Sequence, residues 1–381
     1  MCSIDRGPVT ACATAKLLRM HIEAAGSTLP GFLRKLYKQM SQAGAITKID
    51  PEYAIPGGEI AVECEGFVVS GIGLFGCYIG GQECRTVASS SRRVLAIVPD
   101  GIETAHTHVY LKSGGDRGEL AELIVGERLI DDMHIVANPA IDPNDGSIVT
   151  TRSGSRGYQL EHTLYRLESD GYVDELPAQI LNPTGLAFDP TGDLYVTNRA
   201  EGEVSRVVRG EEVIPYAQNL GIATGIAFDH EGVMYVGDRA GTIYRIPRPS
   251  RIETYAVLEP SVAAYHLAFG PDGRLYVTAP GLASADAVYV LDDGGHAEPY
   301  FRGLGRPQGI AFDTEGNLYV AAAYRGRRGI VRIAPGGESA ELFVAGMNVV
   351  GLCFNRSGDM IVATNESLFS IPAGIYGTLL D

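Results

Sequence analysis

The side chains best suited to chemistry in this 381-residue chain are arginines set in short polar stretches. "TRSGSR" carries Arg152 and Arg156, "TNRAE" carries Asn198 and Arg199, "GDRAG" carries Asp238 and Arg239, and "AYRGR" carries Tyr324 and Arg325. A guanidinium grips a carboxylate or phosphate through two parallel hydrogen bonds. Several arginines converging on one place would hold a small anion or an acidic peptide; the competing reading pairs them with Asp238, Glu201, Glu203 or Glu366 nearby. Tyr265 and His266, adjacent in "AYHLAF", have the groups of a general acid and base, against a purely structural histidine. His106 and His108 share one face of a strand and are types that bind metal. No third ligand accompanies them, which favours ordinary histidines.

Whether such residues meet depends on the elements that carry them, and those elements repeat. "GLAFDPTGDLYV" (185–196), "GIAFDHEGVMYV" (225–236) and "GIAFDTEGNLYV" (309–320) are one phrase written three times. Looser copies are "NPAIDPNDGSIV" (138–149), "HLAFGPDGRLYV" (266–277) and "GLCFNRSGDMIV" (351–362). Aligning Asp142, Asp189, Asp229, Gly270, Asp313 and Asn355 gives steps of 47, 40, 41, 43 and 42 residues. A period of about 40–50 residues suits four-stranded propeller blades. "GLAF" and "DLYV" have strand composition, and D-x-x-G between them is a hairpin turn that needs no metal, "DPNDG" (142–146) included. A third strand such as "TIYRI" (242–246) and a more polar fourth complete each unit. The chain therefore reads as six blades over 128–381, whose repeat Gly and Ala let neighbouring blades approach closely. Residues 125–132 align with fourth-strand segments and would close the ring, with C-terminal "GIYGTLLD" as the competitor. Arg166, Arg206, Arg245 and Arg332 recur on third strands, which suggests blade-to-blade pairing.

Inner-strand starts and second-strand ends open at one mouth of the central channel. The residues preceding the repeat glycine are Ala137, Thr184, Thr224, Tyr265, Gln308 and Val350. The second strands end at Arg152, Asn198, Asp238, Ala279, Ala323 and Asn365. The following positions add Arg199, Arg239, Tyr324 and Glu366, with Arg156 and Arg325 in adjoining loops. The loops 152–162 and 280–286 are least repeat-like and would wall the mouth.

"NPTGLAFDPTGDLYVTN" and "GIATGIAFDHEGVMYVGDRAGTIYRI" resemble the NHL-repeat and SMP-30/gluconolactonase group of six-bladed propellers. That resemblance implies a divalent metal held by Glu, Asn and Asp at the pre-glycine positions, none of which is a carboxylate here. Oxygen-ligated divalent ions need carboxylates, so the lactonase site does not carry over unless Glu127 or Asp131 supplies ligands. The resemblance to NHL-type lyases makes His134, His162 and His266 a candidate zinc set. No cofactor is expected, and a divalent metal lacks support from the aligned positions.

Residues 46–127 alternate strands and turns about every ten residues, as in a small sandwich. The frame "ITKIDPEYAIPGGEI", "IGG", "VPDG" resembles the IPT/TIG immunoglobulin-like domains, without the antibody cysteine pair and with no Trp in the chain. Residues 1–45 form a tail in which "LPGFLRKLYKQMSQAG" (29–44) reads as an amphipathic helix: Phe32, Leu33, Leu36, Tyr37 and Met40 follow helical spacing, and Gly44 ends it.

A net charge of −15 argues against a nucleic-acid partner. No apolar run is long enough to span a membrane, and the N-terminus lacks a secretory h-region, a transit-like leader being the alternative. The six cysteines form no CxxC and fit a reducing, cytoplasmic setting. The expected molecule is all-β: an immunoglobulin-like sandwich and a six-bladed propeller behind a helical tail. It binds a small polar or anionic molecule or a peptide at an Arg-rich mouth; the alternative is a gluconolactonase-like hydrolase or lyase with an altered site. Substrate and oligomeric state are not legible.

Overall fold

The computed structural model describes residues 43–69, 75–102, 104–154, 160–249, 251–282 and 285–380. The helix expected over 29–44 lies outside these except at its very end, and Arg156 lies outside them too.

The described chain is all-β apart from short 3-10 turns, and the ring is six four-stranded antiparallel blades, of which blades 4 and 5 are joined where Leu304 and Gly305 pair with Tyr324 and Ala323. Blades 1 to 4 have inner strands Ala140–Ile141, Pro183–Phe188, Ala223–Phe228 and His266–Phe269. Blades 5 and 6 have Ile310–Phe312 and Val349–Phe354. The second strands are Ile148–Thr151, Leu194–Asn198, Met234–Asp238, Leu275–Thr278, Leu318–Tyr324 and Met360–Thr364. Blade 6 takes its outer strand, Glu127–Ile130, from before blade 1, antiparallel to Leu368–Ile371. The first and last blades are thus fastened together. The C-terminal segment instead makes an isolated bridge, Gly377 to Asp313.

The repeated phrase has a physical reason at each letter. Asp189 Oδ1 accepts from the amides of Thr191 (2.9 Å) and Asp193 (3.0 Å), and Gly192 takes φ 87°. Asp229 and Asp313 do the same in blades 3 and 5. The Tyr of "LYV" meets the Phe of the next blade's "AF". Tyr195–Phe228, Tyr235–Phe269, Tyr276–Phe312 and Tyr319–Phe354 have ring centroids 5.1, 5.1, 4.7 and 5.2 Å apart. Such pairs add about 0.5–1.5 kcal/mol each beyond burial, so the motif is the blade-to-blade adhesive. A Cβ on Gly185 or Gly225 would collide with the backbone carbonyl of Thr224 or Tyr265 in the next blade.

The third-strand arginines pair within their own blade, contrary to the expectation above. Arg166 bonds Asp145 (2.8 Å) and Asp142 (3.0 Å), Arg206 bonds Asp193 (2.9 Å), and Arg245 bonds Glu253 (3.2 Å). Arg332 pairs with Glu341. Cross-strand neighbours on one sheet face lie about 5 Å apart, whereas the adjacent sheet stands about 10 Å away.

The sandwich has one sheet ordered Ala45–Asp50, Glu59–Glu65, Arg93–Ile97, Arg85–Ser89. Its second sheet, built on Ala105–Ser113, Gly76–Ile79 and Ala121–Val125, is continuous with the propeller. The two-residue strand Tyr53–Ala54 pairs in parallel with Ala121–Val125 on one side and with blade 5's outer strand Ala340–Ala345 on the other. Ile55 N donates to Ala345 O (2.9 Å), and Arg327 donates to the Asp50 carbonyl (2.7 Å) and pairs with its carboxylate. One apolar cluster runs from Ile60, Val62 and Leu111 into Val288, Ile310 and Val331 of blades 4 and 5. Cys64, Cys77, Cys84 and Cys353 are buried free thiols. Among the described residues no helix is long and apolar enough to cross a membrane.

Candidate functional site

The antiparallel register sets inner-strand starts beside second-strand ends, as Pro183 opposite Asn198 and Ala223 opposite Asp238 show. The polar residues expected at the mouth therefore share one face of the ring, with Arg156 outside the described residues. Many of them are engaged with the protein itself. Asn198 is buried; its Oδ1 accepts from Ala200 N (2.9 Å) and Glu201 N (3.2 Å), and its Nδ2 donates to Glu201 (2.7 Å). Asp238, also buried, accepts from Ile222 N (2.8 Å) and Ala240 N (3.0 Å). Both orient the turn from second to third strand, and Arg199 lies within the first of these turns. Arg239 donates to the backbone carbonyls of Ser261 (3.2 Å) and Val262 (2.9 Å), clamping the approach to blade 4.

Thr184 Oγ1 donates to Asn182 O (3.2 Å). Thr224 Oγ1 donates to Gly237 O (2.9 Å) and accepts from Tyr265 N (3.0 Å), joining blades 3 and 4. Gln308 is half-buried, and its carbonyl accepts from Thr278 Oγ1 (2.5 Å). Tyr324 packs beside Phe301 with centroids 6.1 Å apart, and Arg325 lies 5.0 Å over the Tyr324 ring. Arg152 donates to the Tyr165 hydroxyl (3.3 Å), which raises its pKa, and lies 3.8 Å from Asp132. Its side chain keeps 35% of its exposure.

Tyr265 and His266 do not face one another. Successive residues of a strand point to opposite faces. Tyr265 packs on the blade 3 side against Gly237, donates its hydroxyl to Glu259 O, and is pushed up to about 12 by burial. His266 stands where most blades have the repeat glycine and is 5% exposed, with Nε2 lacking a hydrogen-bond partner among the described residues. Burial pulls its pKa down to about 4, so the imidazole is neutral at pH 7.

The proposed zinc trio is not assembled. His134 bonds Ser153 O (2.6 Å) and His162 lies 3.7 Å from Glu175, both on the blade 1 side, whereas His266 is three blades away. Glu127 sits on the outer strand of blade 6, at the periphery. Asp131 accepts from Ser367 (2.6 Å) and Arg128 (3.1 Å), contacts that hold its carboxyl below the usual range. Among the described residues no group of three or more His, Cys, Asp or Glu is arranged to hold a metal ion. His106 pairs with Glu122 (2.5 Å) on the exposed face of the sandwich.

Sequence reasoning missed Asn138. It replaces the repeat glycine in blade 1 and reaches two other blades: Nδ2 donates to Ile310 O (2.9 Å) and Oδ1 accepts from Leu352 N (3.1 Å). Gly309 and Gly351 are small because Asn138 fills the space beside them. The signal was the departure from glycine, the same one that drew attention to His266.

No family model matches the sequence, and no curated protein matches it. Solved structures do. A protein designated a gluconolactonase matches 66% of this chain and 93% of its own, with TM-score 0.55 and 16% identity. A gluconolactonase of Xanthomonas campestris matches 64% of this chain and 88% of its own, with TM-score 0.52 and 17% identity. An auxiliary nutrient binding protein of Bacteroides ovatus matches 85% of this chain and 96% of its own, with TM-score 0.50 and 14% identity. At these identities the likeness establishes a β-propeller fold shared with gluconolactonase-like and ligand-binding proteins.

Proposed function

We propose that this chain is a binding protein whose propeller presents a cationic channel mouth to a small anionic or polar molecule or to a peptide. In this reading the ring is of the NHL-repeat type and the sandwich of the IPT/TIG type. The observation that carries it is the ring of pre-glycine positions: Ala137, Thr184, Thr224, Tyr265, Gln308 and Val350 bring no carboxylate to neutralise a cation. Arg152 and Arg325 stand on the same face as that ring. A guanidinium there favours an anion and disfavours a divalent ion.

Thermal shift against a panel of small carboxylates, sugar acids and phosphates tests the proposal. A ligand that stabilises the parent protein, and stabilises Arg152→Ala or Arg325→Ala less, supports it. No stabilisation by any anion, or an equal shift in both variants, refutes it. A second reading, a lactonase-like hydrolase or a lyase with an altered site, draws on His266, a neutral buried imidazole with a ring nitrogen that has no hydrogen-bond partner among the described residues. Lactone hydrolysis that is lost in His266→Gln would favour it.

A further inference from the structure

The sandwich carries a cleft of its own. Strand Ala105–Ser113 alternates, with Thr107, Val109, Leu111 and Ser113 buried and His108, Tyr110 and Lys112 turned outward. On that outer face Tyr110 stacks on Tyr78, with centroids 5.1 Å apart and planes 6° from parallel. The Arg117 guanidinium lies 4.3 Å over the Tyr110 ring, and the Lys112 ammonium 5.7 Å over the Tyr78 ring. Two cations thus flank two stacked rings.

Beside this row a cleft of about 240 Å³ opens between the Gly80–Gly81 turn, Thr107, His108, Tyr110, Arg117 and Leu120. Three features give it a chemistry. Arg117 has no carboxylate partner among the described residues, although the chain carries a net charge of −15. The Arg117 guanidinium lines the cleft over the Tyr110 ring, and its N–H groups suit a bidentate bond to a carboxylate. Leu120 is 48% exposed at the rim, an apolar wall facing solvent.

We propose that this cleft binds a small carboxylate borne on a single six-membered ring, with the carboxylate on the edge of Arg117, the ring against Leu120 and His108 as a further hydrogen-bonding partner. The volume lies below the range of about 300–1,000 Å³ usual for drug-sized ligands, which suits one ring rather than a fused system or a peptide. An aromatic acid and a sugar acid share this chemistry.

Benzoate and glucuronate, titrated calorimetrically into the full chain, separate the two sources. Binding of at least one probe is expected, with hydrogen-exchange protection over residues 105–120. Arg117→Gln should weaken that binding by about 10- to 100-fold, the worth of a charge-assisted bond. Leu120→Asp should weaken it through its introduced charge, and circular dichroism of both variants checks that the exposed substitutions leave the fold intact. Absence of binding by both probes at millimolar concentration would overturn the proposal. So would affinity unchanged in Arg117→Gln, or protection confined to the propeller.

Discussion

Asn138→Ala tests whether one side chain at the axis helps hold the ring together. The amide makes two bonds, to Ile310 O (2.9 Å) and from Leu352 N (3.1 Å), and thereby joins blade 1 to blades 5 and 6. Both partners are buried, Leu352 at 0% and Ile310 at 2% exposure. Alanine removes the bonds without admitting a replacement from the protein. An orphaned buried donor costs about 1–3 kcal/mol. The Ile310 carbonyl has a second lone pair and suffers less, so the sum is about 3 kcal/mol. At about 2–4 °C per kcal/mol for units of this size, Tm should fall by about 6–12 °C. Urea unfolding followed by far-ultraviolet circular dichroism gives the free energy, and hydrogen exchange locates it. Exchange should quicken in Ala140–Ile141 and Val349–Phe354 before the other blades. A loss below about 1 kcal/mol would show that solvent can enter and take over both bonds, and the idea of an axial stitch would fail.

His266→Gln should alter the pH dependence of stability. The folded pKa, about 4, lies below the unfolded value of about 6.5, so the unfolded chain binds more protons in between. Stability therefore falls as pH drops from about 6.5 towards 4; this one group costs about 2 kcal/mol by pH 5, and the variant should lack that part of the slope in paired denaturation curves at pH 7 and 5. Arg327→Ala removes the bond to the Asp50 carbonyl and the ion pair with its carboxylate, groups that are 18% and 30% exposed. Docking of the sandwich on blade 5 should weaken by about 1–3 kcal/mol, seen as faster limited proteolysis near residues 50–55; an unchanged cleavage rate would count against that role.

The ring was legible because its chemistry is local. Three near-identical phrases and three looser ones placed six hairpins, and aligning "VGERLIDDMHIV" with fourth-strand segments found the closing strand. Tyr53–Ala54 was not legible. Prolines at 51 and 56 bracket it and read as turns, and its partners lie far away at Ala121–Val125 and Ala340–Ala345. A two-residue strand held from both sides needs no propensity of its own, only edges to join. The third-strand arginines recurred as expected, but recurrence says nothing about which neighbour is nearer in space.

At the mouth, the repeat indicated which positions share a face but not which polar groups are still free. Asn198 and Asp238 sit where a ligand contact is expected, yet the same location is a strand end, and strand ends have orphan amides that need capping. Side-chain oxygens there are drawn first to the backbone. The more informative positions are those where the repeat breaks. A glycine that lets two blades touch cannot become a larger residue unless the space opens or the new atoms find partners. In blade 1 the replacement, Asn138, has both of its polar atoms bonded, and the seam is closed. In blade 4, three blades away, the replacement is His266, whose buried Nε2 has no partner among the described residues. A buried nitrogen left unpaired costs stability, so a polar group that reached Nε2 of His266 would gain a hydrogen bond that the fold itself leaves unmade.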